Sequence, residues 1–170
     1  MIREAQMRDC KAMCAIYLPY VRDTAVSFEE ILPTENTFIH KIETLCPKYP
    51  FLVWEEDGQV AAYAYASAFR ERAAYRYGAE LSVYVADAFQ GRGIGKRLYE
   101  KLLEELALRG YLTAYGVVTL PNKKSEGLHL GLGFTKAGLL KNAGYKLGGW
   151  HDVGIFEKAL GEYAAKPRTI

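Results

Sequence analysis

The stretch Gln90–Lys96 combines three glycines with basic side chains, and such a combination can bind phosphate. It lies between an apolar, strand-like run at 81–85 and a helical pattern from Lys96 to Arg109. Glycines let the backbone come close to an anion, and the first N–H groups of a helix have no partner within the helix. Positive charge is added by Arg92, Lys96 and Arg97. A strand, a glycine-rich turn and a helix N-terminus therefore predict a phosphate-binding loop.

The glycine spacing excludes two common nucleotide-binding loops. A P-loop needs Gly-x-x-x-x-Gly-Lys-Ser/Thr, but Gln90 stands where its first glycine would be, and Arg97 follows Gly95-Lys96. A dinucleotide fingerprint needs Gly-x-Gly-x-x-Gly, and here the third glycine comes one residue early, at Gly95. The stretch instead fits Gln/Arg-x-x-Gly-x-Gly/Ala. A glycine-rich turn that merely starts a helix is an alternative that the loop alone leaves open.

The periodicity of the sequence predicts which elements position this loop. We expect one domain over residues 1–163 and a disordered tail over 164–170. The predicted strands are 1–4, 51–55, 59–67, 80–86, 111–118, 135–140 and 153–160, and the predicted helices start at Asp9, after Pro33-Thr34, at Lys96 and at Asn122. The order β-α-α-β-β-β-α-β-α-β-β predicts an α/β (α+β) class with a single mixed central sheet flanked by helices.

Composition excludes several other classes of protein. Of 170 residues, half are hydrophobic and a quarter charged, and the net charge of +2 does not indicate a nucleic-acid surface. The apolar runs are too short to span a membrane, and the N-terminus carries no signal-peptide pattern. The three cysteines have no C-x-x-C spacing. Cys10 and Cys14 have helical spacing and are expected to be buried thiols rather than a disulfide, which favours the cytoplasm.

The loop and the order of elements together resemble the GNAT N-acetyltransferase superfamily, in which this loop binds the pyrophosphate of an acyl-CoA. Four segments, over a region from Met1 to about Leu160, resemble more closely the phosphinothricin N-acetyltransferase family: Tyr20–Phe28, Ala79–Val85, Leu120–Phe134 and Ala143–Gly154. The last segment is the most specific, because generic GNAT proteins lack it. The resemblance implies direct acetyl transfer from acetyl-CoA to the α-amino group of a small L-amino acid or analogue. Related family members act on methionine sulfoximine or methionine sulfone, so the substrate stays open.

The resemblance also implies catalytic residues. Glu80 matches the family's general base, and partial burial would raise the pKa of its carboxyl toward a useful range. Glu29 and Glu30 are weaker candidates. His129 stands where many GNAT enzymes have a tyrosine acid. It could protonate the thiolate, bind the CoA arm, or be a structural histidine. No metal site is expected.

Binding residues follow in the same way. The residues expected to bind acetyl-CoA are Val83, Tyr84, Val85, Gln90, Gly91, Arg92, Gly93, Ile94, Gly95, Lys96, Asn122 and Ser125. Free backbone N–H groups of the strand 83–85 would contact the thioester, whereas Asn122 could equally be an ordinary N-cap. The residues expected to bind the substrate are Phe28, Arg70, Glu71, Arg72, Glu80, Leu81 and Ser82, with the arginines suited to a carboxylate or phosphinate.

The sequence also leads to hypotheses about the oligomeric state, the rival functions and the partners of the protein. The family resemblance implies a homodimer, and Trp150, in a predicted glycine-rich loop, would lie at its interface; alternatively Trp150 fills the end of the domain's own core. The rival functions are a protein N-terminal or other amine acetyltransferase and a non-catalytic acyl-CoA-binding regulatory domain. Neither a nucleic-acid partner nor a membrane partner is expected.

Overall fold

The computed structural model describes residues 1–165 and 167–170. Within them the chain forms seven strands and four helices, in the predicted order and class. The bounds are β1 Ile2–Glu4, α1 Cys10–Asp23, α2 Glu35–Leu45, β2 Phe51–Glu56, β3 Gln59–Ala68, β4 Gly78–Val85, α3 Ile94–Arg109, β5 Thr113–Leu120, α4 Lys123–Gly131, β6 Thr135–Lys146 and β7 Gly149–Ala159.

All seven strands belong to one mixed sheet, in the order β1-β2-β3-β4-β5-β7-β6. Strands β4 and β5 run parallel, and the other neighbours in the sheet are antiparallel. The apolar stripes of α1 and α2 pack on one face of the sheet, around Phe38 and Tyr63. The leucine stripe of α3 packs on the other face, around Leu98 and Leu102. The sheet is thus covered on both faces, as the flanking helices predicted.

Local sequence signals explain several element ends. Asp57 and Gly58 both have positive φ, at 50° and 76°, and join β2 to β3 in the predicted tight turn. Gly110, with φ of 94°, ends α3 as predicted. Asp9 is the N-cap residue of α1, as predicted, but its side chain makes no capping hydrogen bond to that helix. Its carboxylate accepts from the Gln6 N–H at 2.8 Å and binds Arg3, so it caps the short 3₁₀ turn before α1.

The prediction of a loop within Ala143–Gly154 is wrong. This segment forms a β-hairpin, because β6 continues to Lys146 and β7 begins at Gly149. The two turn residues, Leu147 and Gly148, have φ of 52° and 79°, which suits a two-residue hairpin turn. Glycine at several strand positions concealed the strand pattern, and the β6–β7 register shifts twice.

Among the described residues, none of the helices has both the length and the apolar character that a membrane span requires. The predicted disorder of the tail 164–170 stays a prediction, and one of its residues, Lys166, lies outside the described residues.

Candidate active site

The glycine-rich loop connects the end of β4 to the start of α3. Gly91 and Gly93 have φ of 76° and 74°, a conformation that side chains rarely adopt, and Gly93 is the N-cap of α3. A Cβ at either glycine would meet no protein atom within 4 Å. The open space and the free N–H groups of the first turn of α3 therefore form a cradle for an anion.

Side chains around the loop hold its backbone in place. The Gln90 amide donates to Asp87 Oδ1 at 2.8 Å and to Tyr20 Oη at 3.2 Å, and its carbonyl accepts from Lys124 Nζ at 3.0 Å. Arg92 donates to Glu56 Oε1 at 2.7 Å. The Gln90 side chain thus links the glycine-rich loop to α1 and to α4 by hydrogen bonds.

Strands β4 and β5 pair over a short distance and then diverge. Their parallel register runs from the Gly78–Thr113 pair to the Glu80–Tyr115 pair, whereas β4 continues to Val85. Beyond Glu80 the two strands are separated by a gap that opens toward the glycine-rich loop. Beyond Glu80, the backbone groups of β4 on this side therefore have no partner in β5.

Backbone groups of β4 face this gap. Tyr99 Oη donates to the Leu81 carbonyl at 3.1 Å, and Tyr20 Oη donates to the Val85 carbonyl at 2.7 Å. In an antiparallel ladder the N–H and C=O of one residue point to the same side and alternate along the strand. The N–H groups of Val83 and Val85 therefore point into the gap, where they are available to an acyl oxygen.

Tyr84 differs from its neighbours in orientation. The N–H of Ala86 donates to the Ala61 carbonyl at 2.9 Å, so alternation directs the Tyr84 N–H toward β3 as well. Its ring packs against Tyr17 at 4.7 Å between centroids. The predicted cofactor contact through the Tyr84 N–H is not supported by this orientation.

Glu80 lies at the last paired position before the strands diverge. It is half-buried, with Ser67 and Tyr115 as its register partners. Burial raises the pKa of its carboxyl, and the charge of Arg70 partly opposes this shift. A carboxylate with a raised pKa beside an acyl-binding gap can accept a proton from an amine.

The two faces of β4 divide the predicted substrate residues. Side chains alternate along a strand, so those of Glu80 and Ser82 share the face on which Tyr84 packs against α1. Leu81 lies on the opposite face, 4% exposed, in the core under α3. The predicted substrate contact of Leu81 is therefore wrong, because a one-residue step reverses the face.

Phe28 is held by the β6–β7 hairpin. A Cβ at Gly144 would overlap the Phe28 ring, so glycine lets the ring lie directly against β6. Lys146 is buried, and its Nζ donates to the Ser27 carbonyl at 2.6 Å and the Val21 carbonyl at 2.7 Å. His151 Nε2 donates in turn to the Lys146 carbonyl at 2.9 Å. The hairpin thus fixes the loop after α1. This loop carries Phe28, the predicted apolar wall of the substrate site.

The predicted charged substrate residues that follow β3 lie at the rim of the site. Arg70, Glu71 and Arg72 are exposed and line a groove of about 540 Å³ together with Tyr75. Of these, Arg70 affects the pKa of Glu80, so it lies near the base. A larger groove of about 780 Å³ lies beside α1 and is lined by none of the predicted substrate residues.

Comparison with known protein families identifies the family of this chain. Residues 12–134 match the Acetyltransferase (GNAT) family. The chain belongs to this family. It has the GNAT fold of one mixed seven-stranded sheet flanked by helices, and it is an N-acetyltransferase.

Individual proteins are similar over nearly the whole chain. Phosphinothricin N-acetyltransferase of Streptomyces viridochromogenes is 40% identical, over 99% of this chain and 92% of its own. L-methionine sulfoximine/L-methionine sulfone acetyltransferase of Salmonella typhimurium is 34% identical, over 96% of each. The crystal structure of a phosphinothricin acetyltransferase of Sinorhizobium meliloti with acetyl-CoA has a TM-score of 0.94 at 36% identity, over 99% of this chain and 92% of that one.

His129, the predicted acid, is a buried neutral imidazole. It is 2% exposed and lies against the backbone of Gly116. Nδ1 donates to the Ser125 carbonyl at 2.8 Å, so Nε2 carries the lone pair, and it has no partner among the described residues. Burial lowers the pKa of the ring. A ring that is neutral at pH 7 and has no proton on Nε2 does not suit the predicted acid.

At the start of α4, Asn122 acts as the ordinary N-cap that the sequence left open as an alternative. Asn122 Oδ1 accepts from the Ser125 N–H at 3.0 Å, so Asn122 is an N-cap. The expected contacts of both residues with acetyl-CoA stay predictions. No group of three or more metal-ligating side chains is found in the part of the chain that the structure describes.

Three residues of this GNAT site were missed from sequence: Tyr20, Tyr99 and Lys146. The two tyrosines lie on helix stripes that indicate only core packing. Lys146 stands inside the most specific segment of the sequence, which was the available signal. Its role was not visible, because the strand that carries it was predicted as a loop.

Proposed function

We propose that this protein transfers the acetyl group of acetyl-CoA directly to the α-amino group of a small L-amino acid or analogue of the phosphinothricin, methionine sulfoximine or methionine sulfone type. The observation that carries the proposal is the half-buried Glu80 at the point where β4 and β5 diverge, with the glycine-rich loop at the other end of the gap. The names of the relatives support this class of acceptor.

Each part of the chemistry has a candidate group. Glu80 accepts the proton that the acceptor's ammonium group must lose before its nitrogen attacks the thioester carbon. The N–H groups of Val83 and Val85 donate to the carbonyl oxygen as negative charge develops on it. Gly91, Gly93 and the start of α3 hold the pyrophosphate of the donor. As the C–N bond forms and the C–S bond breaks, the nitrogen loses its second proton to solvent. The products are the acetylated amine and the CoA thiolate, which takes a proton from solvent.

An acetyl-CoA turnover assay over a panel of amine acceptors tests the proposal. We expect saturable thiol release with phosphinothricin, methionine sulfoximine or methionine sulfone, and none with a peptide N-terminus. Acetylation of the peptide alone would favour a protein N-terminal acetyltransferase. Tight acetyl-CoA binding without turnover of any acceptor would favour the regulatory domain.

Replacing His129 tests its role in the site. We expect His129→Phe to change both the acetyl-CoA affinity and kcat by less than about tenfold, because a neutral Nε2 has no proton to give and is buried against Gly116. Calorimetry with acetyl-CoA and steady-state kinetics measure the two effects. A large loss of kcat with unchanged affinity would restore the acid role.

The exposed hairpin supports a homodimer. Trp150 is 65% exposed and packs edge-on against Tyr145, so the alternative that it fills the domain core is wrong. Other exposed apolar side chains on the same hairpin are Leu139, Leu140 and Leu147. Such a patch is typical of an interface. We expect light scattering to give about twice the mass of the 19.1 kDa chain. A fully active monomer at nanomolar concentration would contradict this.

We also propose a cytoplasmic location. Cys10, Cys14 and Cys46 are free thiols. Free thiols suit a reducing compartment, and the donor, acetyl-CoA, would be met there. Cell fractionation with an antibody to the protein tests this location.

A further inference from the structure

Lys41 on α2 has an unusual environment for a lysine. Its Nζ donates to Tyr65 Oη at 3.0 Å and lies 4.8 Å from the centroid of the same ring. The rings of Tyr17 and Phe38 are 5.5 and 5.7 Å away. The side chain is half-buried, so three aromatic rings and one hydroxyl replace much of the water around the ammonium group.

The ammonium group of Lys41 has no ion pair within the described residues 1–165 and 167–170. Burial acts to lower the pKa of Lys41, but its neighbours Tyr65, Tyr17 and Glu29 outweigh this and leave the pKa raised. The group is therefore charged at neutral pH. Because no described carboxylate oxygen lies within ion-pair distance of it, the ammonium group can pair with an anion of a bound ligand.

Lys41 lies on the catalytic face of the sheet. Its partner Tyr65 is directly opposite Ser82 in the β3–β4 register, and Glu80 is the next residue along β4 on that face. Diagonal neighbours across two strands lie about 7–8 Å apart. Tyr65, whose hydroxyl Lys41 contacts, is therefore a diagonal neighbour of Glu80 on the same face, and this is the geometric basis for a ligand that both residues share.

We propose that Lys41, supported by the hydroxyl of Tyr65, is a substrate-binding residue that pairs with an anionic oxygen of the amine acceptor. This inference rests on the proposed function and assigns a binding residue to the carboxylate or phosphinate that acceptors of that class carry. The rim residue Arg70 lies near the same base and is left for the other polar end of the acceptor.

The test compares Lys41→Met with Lys11→Met, a matched change at an exposed lysine of α1. The acceptors are L-methionine sulfone, its carboxamide and phosphinothricin. We expect Lys41→Met to raise the KM of methionine sulfone by about 10- to 100-fold, as for a lost charge-assisted hydrogen bond. The KM of acetyl-CoA and the kinetics of Lys11→Met should not change. Lys41→Arg should recover part of the loss.

The acceptors distinguish the source of the anion. A loss shared by methionine sulfone and phosphinothricin, and absent for the carboxamide, assigns the α-carboxylate to Lys41. A loss confined to phosphinothricin assigns the phosphinate. An unchanged KM for both acids, or an equal loss for the carboxamide, overturns the inference and leaves the proposed function intact. A wild-type enzyme that acetylates none of the three overturns both.

Discussion

Glu80→Gln is expected to lower kcat by roughly 10²–10⁴-fold if Glu80 is the sole base. Glutamine keeps the size of the side chain but cannot accept the proton of an ammonium group. Acetyl-CoA affinity should be unchanged, because the carboxylate faces the acceptor side of the sheet. Steady-state kinetics at neutral pH and calorimetry with acetyl-CoA measure the two quantities. Glu43→Gln, at an exposed position on α2, is the matched control.

The pH profile gives a second measure of the same residue. Burial raises the pKa of Glu80, and the base works in its ionised form, so wild-type activity should fall as the pH decreases through that raised pKa. The variant should lack this acidic limb. Its deficit should also shrink at high pH, where solvent deprotonates the amine. Wild-type kcat in Glu80→Gln would assign the base to another residue.

Gly93→Asp is expected to abolish acetyl-CoA binding in a protein that still folds. The aspartate would stand in open space at the N-terminus of α3, with its charge directed at the pyrophosphate site. Differential scanning fluorimetry and calorimetry separate folding from binding. Unchanged affinity in the folded variant would remove the loop from the donor site.

Backbone strain needs its own control, because Gly93 has a positive φ. Gly58→Asp introduces the same side chain at φ of 76°, in the β2–β3 turn, where a Cβ also meets no atom within 4 Å. It should match Gly93→Asp in the cost to folding and leave acetyl-CoA binding intact. Gly95→Leu is a less specific test. A Cβ there makes ordinary contacts with the Val85 and Val83 side chains, so the extra bulk would enter the packing of α3 against β4.

Much of the fold was predictable because local signals agreed with the global arrangement. The leucine stripe of α3, the Gly110 terminus and the Asp57-Gly58 turn each have a local physical cause. The β6–β7 hairpin was missed because its glycines lie in strands, where packing against Phe28 and register shifts decide the conformation. Such contacts join residues far apart in the sequence.

The site was predictable to the level of its loop and its base, but not to the orientation of individual groups. Leu81 adjoins the proposed base Glu80, and Tyr84 lies between Val83 and Val85, whose N–H groups face the gap. The alternation of the strand turns the side chain of Leu81 and the N–H of Tyr84 away. The state of His129 depends on the Ser125 carbonyl and on burial. Lys41 gave no signal, because an amphipathic helix commonly carries lysine beside its apolar stripe.

The bond from Lys146 to the loop after α1 restricts how this enzyme can be re-engineered. Substituting that loop alone with the corresponding loop of another acetyltransferase would displace the Ser27 carbonyl, which is one of the two partners of a buried ammonium group; the other, the Val21 carbonyl, lies in α1. It would also replace the ring that fits against Gly144. A chimaera with altered acceptor preference should therefore exchange the loop and the β6–β7 hairpin together.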